Sequence, residues 1–60
     1  MSENYRLWVN EARTLLVRQW PNGVVEIAER DHPDQVWRPP IQTTTLPSWI
    51  GNLIEEKVSH

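Results

Sequence analysis

RQWPNGVVEIAER, residues 18–30, decides the fold. Pro21, Asn22 and Gly23 stand in a fixed order between two apolar stretches. Proline presets φ for the second position of a type I turn, and asparagine suits the third. Glycine then takes the left-handed conformation, which gives a three-residue hairpin loop with a bulge. That geometry sets the register. Trp20 falls opposite Val24, Arg18 opposite Glu26 and Leu16 opposite Ala28, with Val17–Ile27 and Leu15–Glu29 between and beyond them. The Arg18–Glu26 pair supports this register with a cross-strand charge contact of about 0.2–1 kcal/mol. A tighter Asn22-Gly23 turn would instead set Arg18 against Ile27.

Upstream, YRLWVNEARTLLVRQW (5–20) carries two periods at once. Leu7 and Val9, then Leu15 and Val17, alternate as in two strands, while Tyr5, Trp8, Ala12, Leu15, Leu16 and Gln19 fit a helix. The β-branched and aromatic content and the hairpin that follows favour strands, with NEAR (10–13) as a loop that lacks glycine. A helix over Leu7 to Gln19 is the competing reading. Downstream, DHPDQ (31–35) is a cluster of turn formers. VWRPPIQTT (36–44) is extended, and Pro39 and Pro40 confine it to a sheet edge because they cannot donate to a ladder. Leu46, Trp49, Ile50, Leu53 and Ile54 have the spacing of an amphipathic helix, with Thr45 to cap it and Pro47 in its first turn. The expectation is therefore an α+β fold in one domain, 1–60. A small antiparallel meander of three to four strands within about 5–45 is covered on one face by a C-terminal amphipathic helix at about 46–57.

The chain has 60 residues, a formal net charge of -2 and no cysteine. So short a domain buries only about 60% of the surface its unfolded chain exposes, and small scaffolds gain stability from staples or from oligomerisation. Disulfides are excluded, which leaves packing of the four tryptophans and self-association, so a homodimer is expected. No apolar run approaches the ~20 residues that cross a bilayer. MSENYR lacks the pattern of a signal peptide. The expected location is the cytoplasm.

WVN (8–10), LVRQWPNGVVEIAERDHP (16–33) and VWRPP (36–40) together resemble small uncharacterised β-rich proteins of actinobacteria and their phages. Those carry a Trp-Val-Asp/Asn start, a Pro-Asp/Asn-Gly turn, an acidic residue early in the next strand and a Trp-x-Pro-Pro end. The resemblance covers Trp8 to Pro40 and not the tail, and Arg38 stands where glycine is the family's expected residue. It implies a phage-encoded accessory protein acting in the host cytoplasm, and it supplies no activity and no functional residues.

The residues offer little for catalysis. Ser2, Ser48 and Ser59 have neither a glycine-rich elbow nor a histidine motif beside them, and Glu26 and Glu29 point to opposite faces of one strand. No phosphate-binding loop is present. Asp31, His32 and Asp34 are a mixed set, and His60 is distant in sequence, so a metal is not expected. No cofactor and no enzymatic activity are expected. Five arginines among four tryptophans make a nucleic-acid-binding sheet face the first alternative, with Arg6, Trp8 and Arg18 sharing a face if the first hairpin allows it. The negative net charge opposes that. A self-assembling structural protein is the second alternative. The favoured reading is a non-enzymatic protein that binds a host or viral protein, with Trp37 and Arg38 as anchors beside two prolines and Arg6, Trp8 and Arg18 as further candidates. Residues 18–30 are then scaffold, their charges paired with one another.

Overall fold

A computed structural model describes residues 4–57. Five short strands form one antiparallel sheet: β1 Arg6–Val9, β2 Leu15–Gln19, β3 Val25–Glu29, β4 Ile41–Thr43 and β5 Ile54–Glu56. Their spatial order is β4-β3-β2-β1-β5. The first four make a meander, and the chain then returns to lay β5 along the open edge of β1.

The central hairpin has the register that its turn demands. Leu15 pairs with Glu29, Leu16 with Ala28, Val17 with Ile27 and Arg18 with Glu26. Trp20 donates its backbone N–H to Val24 (2.9 Å), and Gly23 donates to Trp20 (3.0 Å). Gly23 sits at φ 96, and the Asn22 side chain accepts from the Val24 N–H at 3.0 Å. The segment upstream is a strand pair, β1 on β2, and not a helix. Its loop manages without glycine by two means. Arg13 takes the left-handed conformation at φ 59. The Asn10 side chain accepts from the Thr14 and Leu15 backbone N–H groups and donates to the Thr14 hydroxyl. An asparagine that mimics backbone in this way is a known turn device.

The tail departs from the expected helix, so the fold is not α+β. Ser48–Asn52 forms a single 3-10 turn, and the chain is extended again by Leu53. Pro47 is itself extended (ψ 150), and among the described residues no side chain caps the turn. Gly51 weakens a helix interior, and a helix this short is marginal without tertiary support. Glu55 and Glu56 would also have opposed its dipole. As strand residues they gain partners instead. Glu55 accepts two hydrogen bonds from Arg6 (2.9 and 3.1 Å), and Glu56 accepts one from Arg13 (2.8 Å). Pairing with β5 also satisfies the backbone of β1.

Trp8, Val17 and Val25 share one sheet face and form the core cluster, with Ile27, Leu46, Ile50 and Leu53 packed against it. Leu46, Ile50 and Leu53 of the expected apolar stripe therefore do pack on a sheet face, from the 3-10 turn and the segments flanking it rather than from a helix. Trp49 and Ile54, from the same stripe, are exposed. The opposite face carries Leu7, Val9, Leu16, Arg18, Glu26 and Ala28, of which Val9 and Ala28 are buried.

Candidate functional site

The face opposite the core cluster holds a recess that gathers three of the five expected anchors, Arg18, Trp37 and Arg38. Tyr5, Leu7, Leu16, Arg18, Ala28, Trp37, Arg38, Pro39 and Pro40 line a groove of about 430 Å³. Its floor comes from the alternation of β1, β2 and β3. Leu7 lies opposite Arg18, and Leu16 opposite Ala28, so their side chains emerge on one face. Residues 37–40 supply the wall. The two prolines hold that segment extended, and the Arg38 backbone N–H ties it to the Glu29 carbonyl at 3.0 Å.

The loop between β3 and the wall is closed by charge. The Arg30 guanidinium lies 4.0 Å from the centre of the Trp37 ring. It also donates to the carbonyls of Arg13 and Gln35, each at 2.9 Å. Arg38 reaches Asp31 at 2.7 Å, and that hydrogen bond raises the Arg38 pKa above its ordinary value. Trp37 is half-buried under this clamp and still lines the groove.

At the other end, Arg18 sits over Tyr5 and Trp20 at 5.3 and 5.1 Å and contacts Glu26 at 2.9 Å. Tyr5 and Trp20 meet ring to ring at 4.6 Å. Glu26 accepts from the Trp20 indole N–H (2.8 Å), from Arg18 Nε (3.1 Å) and from Gln42 (3.2 Å). The Trp20 bond, then the Gln42 bond and the Arg18 charge, hold its carboxyl below the usual range against an opposing desolvation cost.

The five residues singled out by sequence divide into two groups. Trp37, Arg38 and Arg18 converge on the groove. Arg6 and Trp8 do not. They occupy the other face, where Trp8 is a core residue with 6% of its surface exposed and the Arg6 guanidinium covers its ring at 4.6 Å. The shared face expected for Arg6, Trp8 and Arg18 fails because β1 pairs Trp8 with Val17 and Leu7 with Arg18. Tyr5, Leu7, Leu16 and Ala28 were not anticipated as site residues. Their signal was the hairpin register itself, which sets Leu16 and Ala28 on the Arg18 face.

All five arginines have partners within the chain. Arg6 pairs with Glu55, Arg13 with Glu56, Arg18 with Glu26 and Arg38 with Asp31, while Arg30 is held by carbonyls and Trp37. Among the described residues, no group of three or more histidine and acidic side chains could hold a metal ion. Ser2, Ser59 and His60 lie outside the described residues. No described helix is long and apolar enough to cross a membrane. No family model, curated protein or solved structure matches the chain.

Proposed function

We propose that this chain is a non-enzymatic binding module that docks a segment of a host or viral protein in the groove between residues 37–40 and the β1–β3 face. The observation that carries the reading is the composition of that groove. An apolar floor of Leu7, Leu16 and Ala28 is walled by Trp37, Pro39 and Pro40 and flanked by two guanidiniums, Arg18 and Arg38. Apolar pockets edged by arginine and aromatic side chains are where interface energy concentrates. Each guanidinium has five donors, and the bonds to Glu26 and Asp31 leave some of them for an incoming group. The occupant that fits is a peptide with an apolar side chain beside a carboxylate. The resemblance to phage proteins supports an accessory role in the host cytoplasm.

The arginine pairing weighs against the nucleic-acid alternative. Phosphate binding draws on a concentrated basic surface, and here four of the five arginines are each balanced by a carboxylate, in a chain of net charge -2.

Affinity capture from host lysate tests the proposal when combined with chemical-shift mapping of the captured protein on labelled chain. Wild type should retain one specific protein, and Tyr5, Leu7, Leu16 and Ala28 should shift on binding. The double variant Trp37→Ala, Arg38→Ala should lose that protein while its circular dichroism spectrum is unchanged. Shifts confined to another surface would overturn the assignment. Retention of DNA or RNA, with affinity falling steeply as salt rises, would replace it with the nucleic-acid reading.

A further inference from the structure

From Pro39 to Ile54 the chain contains no charged residue, although charges are frequent on either side. The stretch includes all of β4, which is one edge of the sheet, and the 3-10 turn beside it. Ile41 on β4 is 69% exposed, and Trp49 on the turn is 38% exposed. Both line a second recess of about 350 Å³, together with Leu15, Ile27 and Pro39, and Glu29 and Arg38 line its end away from the β4 segment 41–43.

The two sheet edges differ in how they are protected. A strand edge presents unpaired N–H and C=O groups, and native proteins guard it with charges, prolines or cover. The β5 edge carries Glu55, Glu56 and Lys57, so two copies aligned there would bring carboxylates together. Among the described residues, the β4 edge has only Pro40 at its start. Backbone parity shows what it offers. Trp20 exchanges bonds with the turn and Arg30 donates to Thr14, so the even-numbered residues of β3 face β2. Arg38 donates to Glu29, so the odd-numbered residues of β3 face β4. Glu26 is paired with Gln42 in register. The backbone N–H and C=O of Gln42 therefore point away from β3, toward the open edge.

We infer that β4 pairs antiparallel with β4 of a second copy through the outward backbone groups of Gln42, making one sheet that runs through both chains. A second copy is the occupant because an uncharged edge flanked by Ile41 and Trp49 matches itself without repulsion. Side chains on the core face of both copies then lie on one side of the joined sheet, where Ile41 and Trp49 are covered. The inference is independent of the groove, since purified protein without any partner tests it.

Sedimentation or light scattering of the 7.1 kDa chain should give the dimer mass at high micromolar concentration. Ile41→Lys should weaken the dimer by about tenfold or more, equivalent to about 1.4 kcal/mol, with the circular dichroism spectrum retained. Gln42→Pro removes the outward N–H while leaving the β3 ladder, and it should give monomers. Ile54→Lys, on the other edge, should leave the dimer intact. Should Gln42→Pro fail to fold, Ile41→Lys and amide exchange decide. The Gln42 amide of wild type should exchange slowly in the dimer and quickly on dilution. A wild type that stays monomeric, or a dimer indifferent to Ile41→Lys, overturns the inference. So does a Gln42 amide protected only when a captured partner is present, which would make this edge a site for a foreign strand.

Discussion

Glu26 shows how much one side chain can organise. Its carboxylate collects donors from β2, from the end of the hairpin and from β4, and its side chain is only 13% exposed. Its folded-state pKa is depressed. The carboxylate therefore contributes fully at pH values above its unfolded pKa, and the contribution is lost as pH falls through the lower folded value. Thermal melts should show stability declining as the solution is acidified through and below the ordinary carboxylate range. Glu26→Gln should cost about 1 kcal/mol at neutral pH and should show a smaller decline on acidification. A variant whose acid profile matches wild type would assign the decline to other carboxylates. Glu55, held low by its hydrogen bonds to Arg6, contributes in the same direction, although both side chains are exposed.

At the scale of elements, two loops set the two hairpins by different chemistry. Gly23 has φ 96 and open space around the place where a Cβ would sit, so Gly23→Ala meets no clash. Its cost is conformational, about 1–2 kcal/mol for an L-residue held left-handed. Asn10 lacks that device and instead spends its side chain on three hydrogen bonds across the loop. Asn10→Ala should cost about 1–3 kcal/mol, because the Thr14 and Leu15 N–H groups lose a partly buried acceptor. Urea denaturation of both variants checks these values. An Asn10→Ala chain as stable as wild type would mean that Arg13 and the flanking strands hold the loop unaided.

The whole molecule rests on few buried groups. Among the described residues, the buried hydrophobics are Trp8, Val9, Val17, Val25 and Ala28, and Val17 and Val25 have no exposed surface. Stability per residue is about 0.05–0.15 kcal/mol in native proteins, so a chain of this length has only a few kcal/mol in hand. Trp8→Ala should remove about 3–5 kcal/mol and leave the chain largely unfolded by circular dichroism at room temperature. Val36, 90% exposed, is the control. Val36→Ala should change stability by less than about 0.5 kcal/mol. A folded Trp8→Ala chain would show that the cover of Leu46, Ile50 and Leu53 can collapse onto the space.

Sequence alone determined what local chemistry determines. Pro21-Asn22-Gly23 admits few backbone paths, and each fixes a register, so the pairs from Trp20–Val24 to Leu15–Glu29 follow from the turn and the Arg18–Glu26 charge match. Pro39 and Pro40 likewise marked the approach to an edge, and the period of two in residues 5–19 was readable once the hairpin favoured strands. The groove was half legible. Trp37, Arg38 and Arg18 were found by residue type, and Leu16 and Ala28 were implicit in the register. Only tertiary structure decided the tail. The spacing of Leu46, Ile50 and Leu53 suits either a helix stripe or a turn folded onto a sheet, because both lay apolar side chains on one surface. The choice fell to the open edge of β1, where Arg6 meets Glu55 across 49 residues of chain. Tertiary structure also decided that Trp8 is core and Arg18 is not its neighbour. Face assignment on β1 depends on which residue of β2 it meets, and the glycine-free loop between them left that register open.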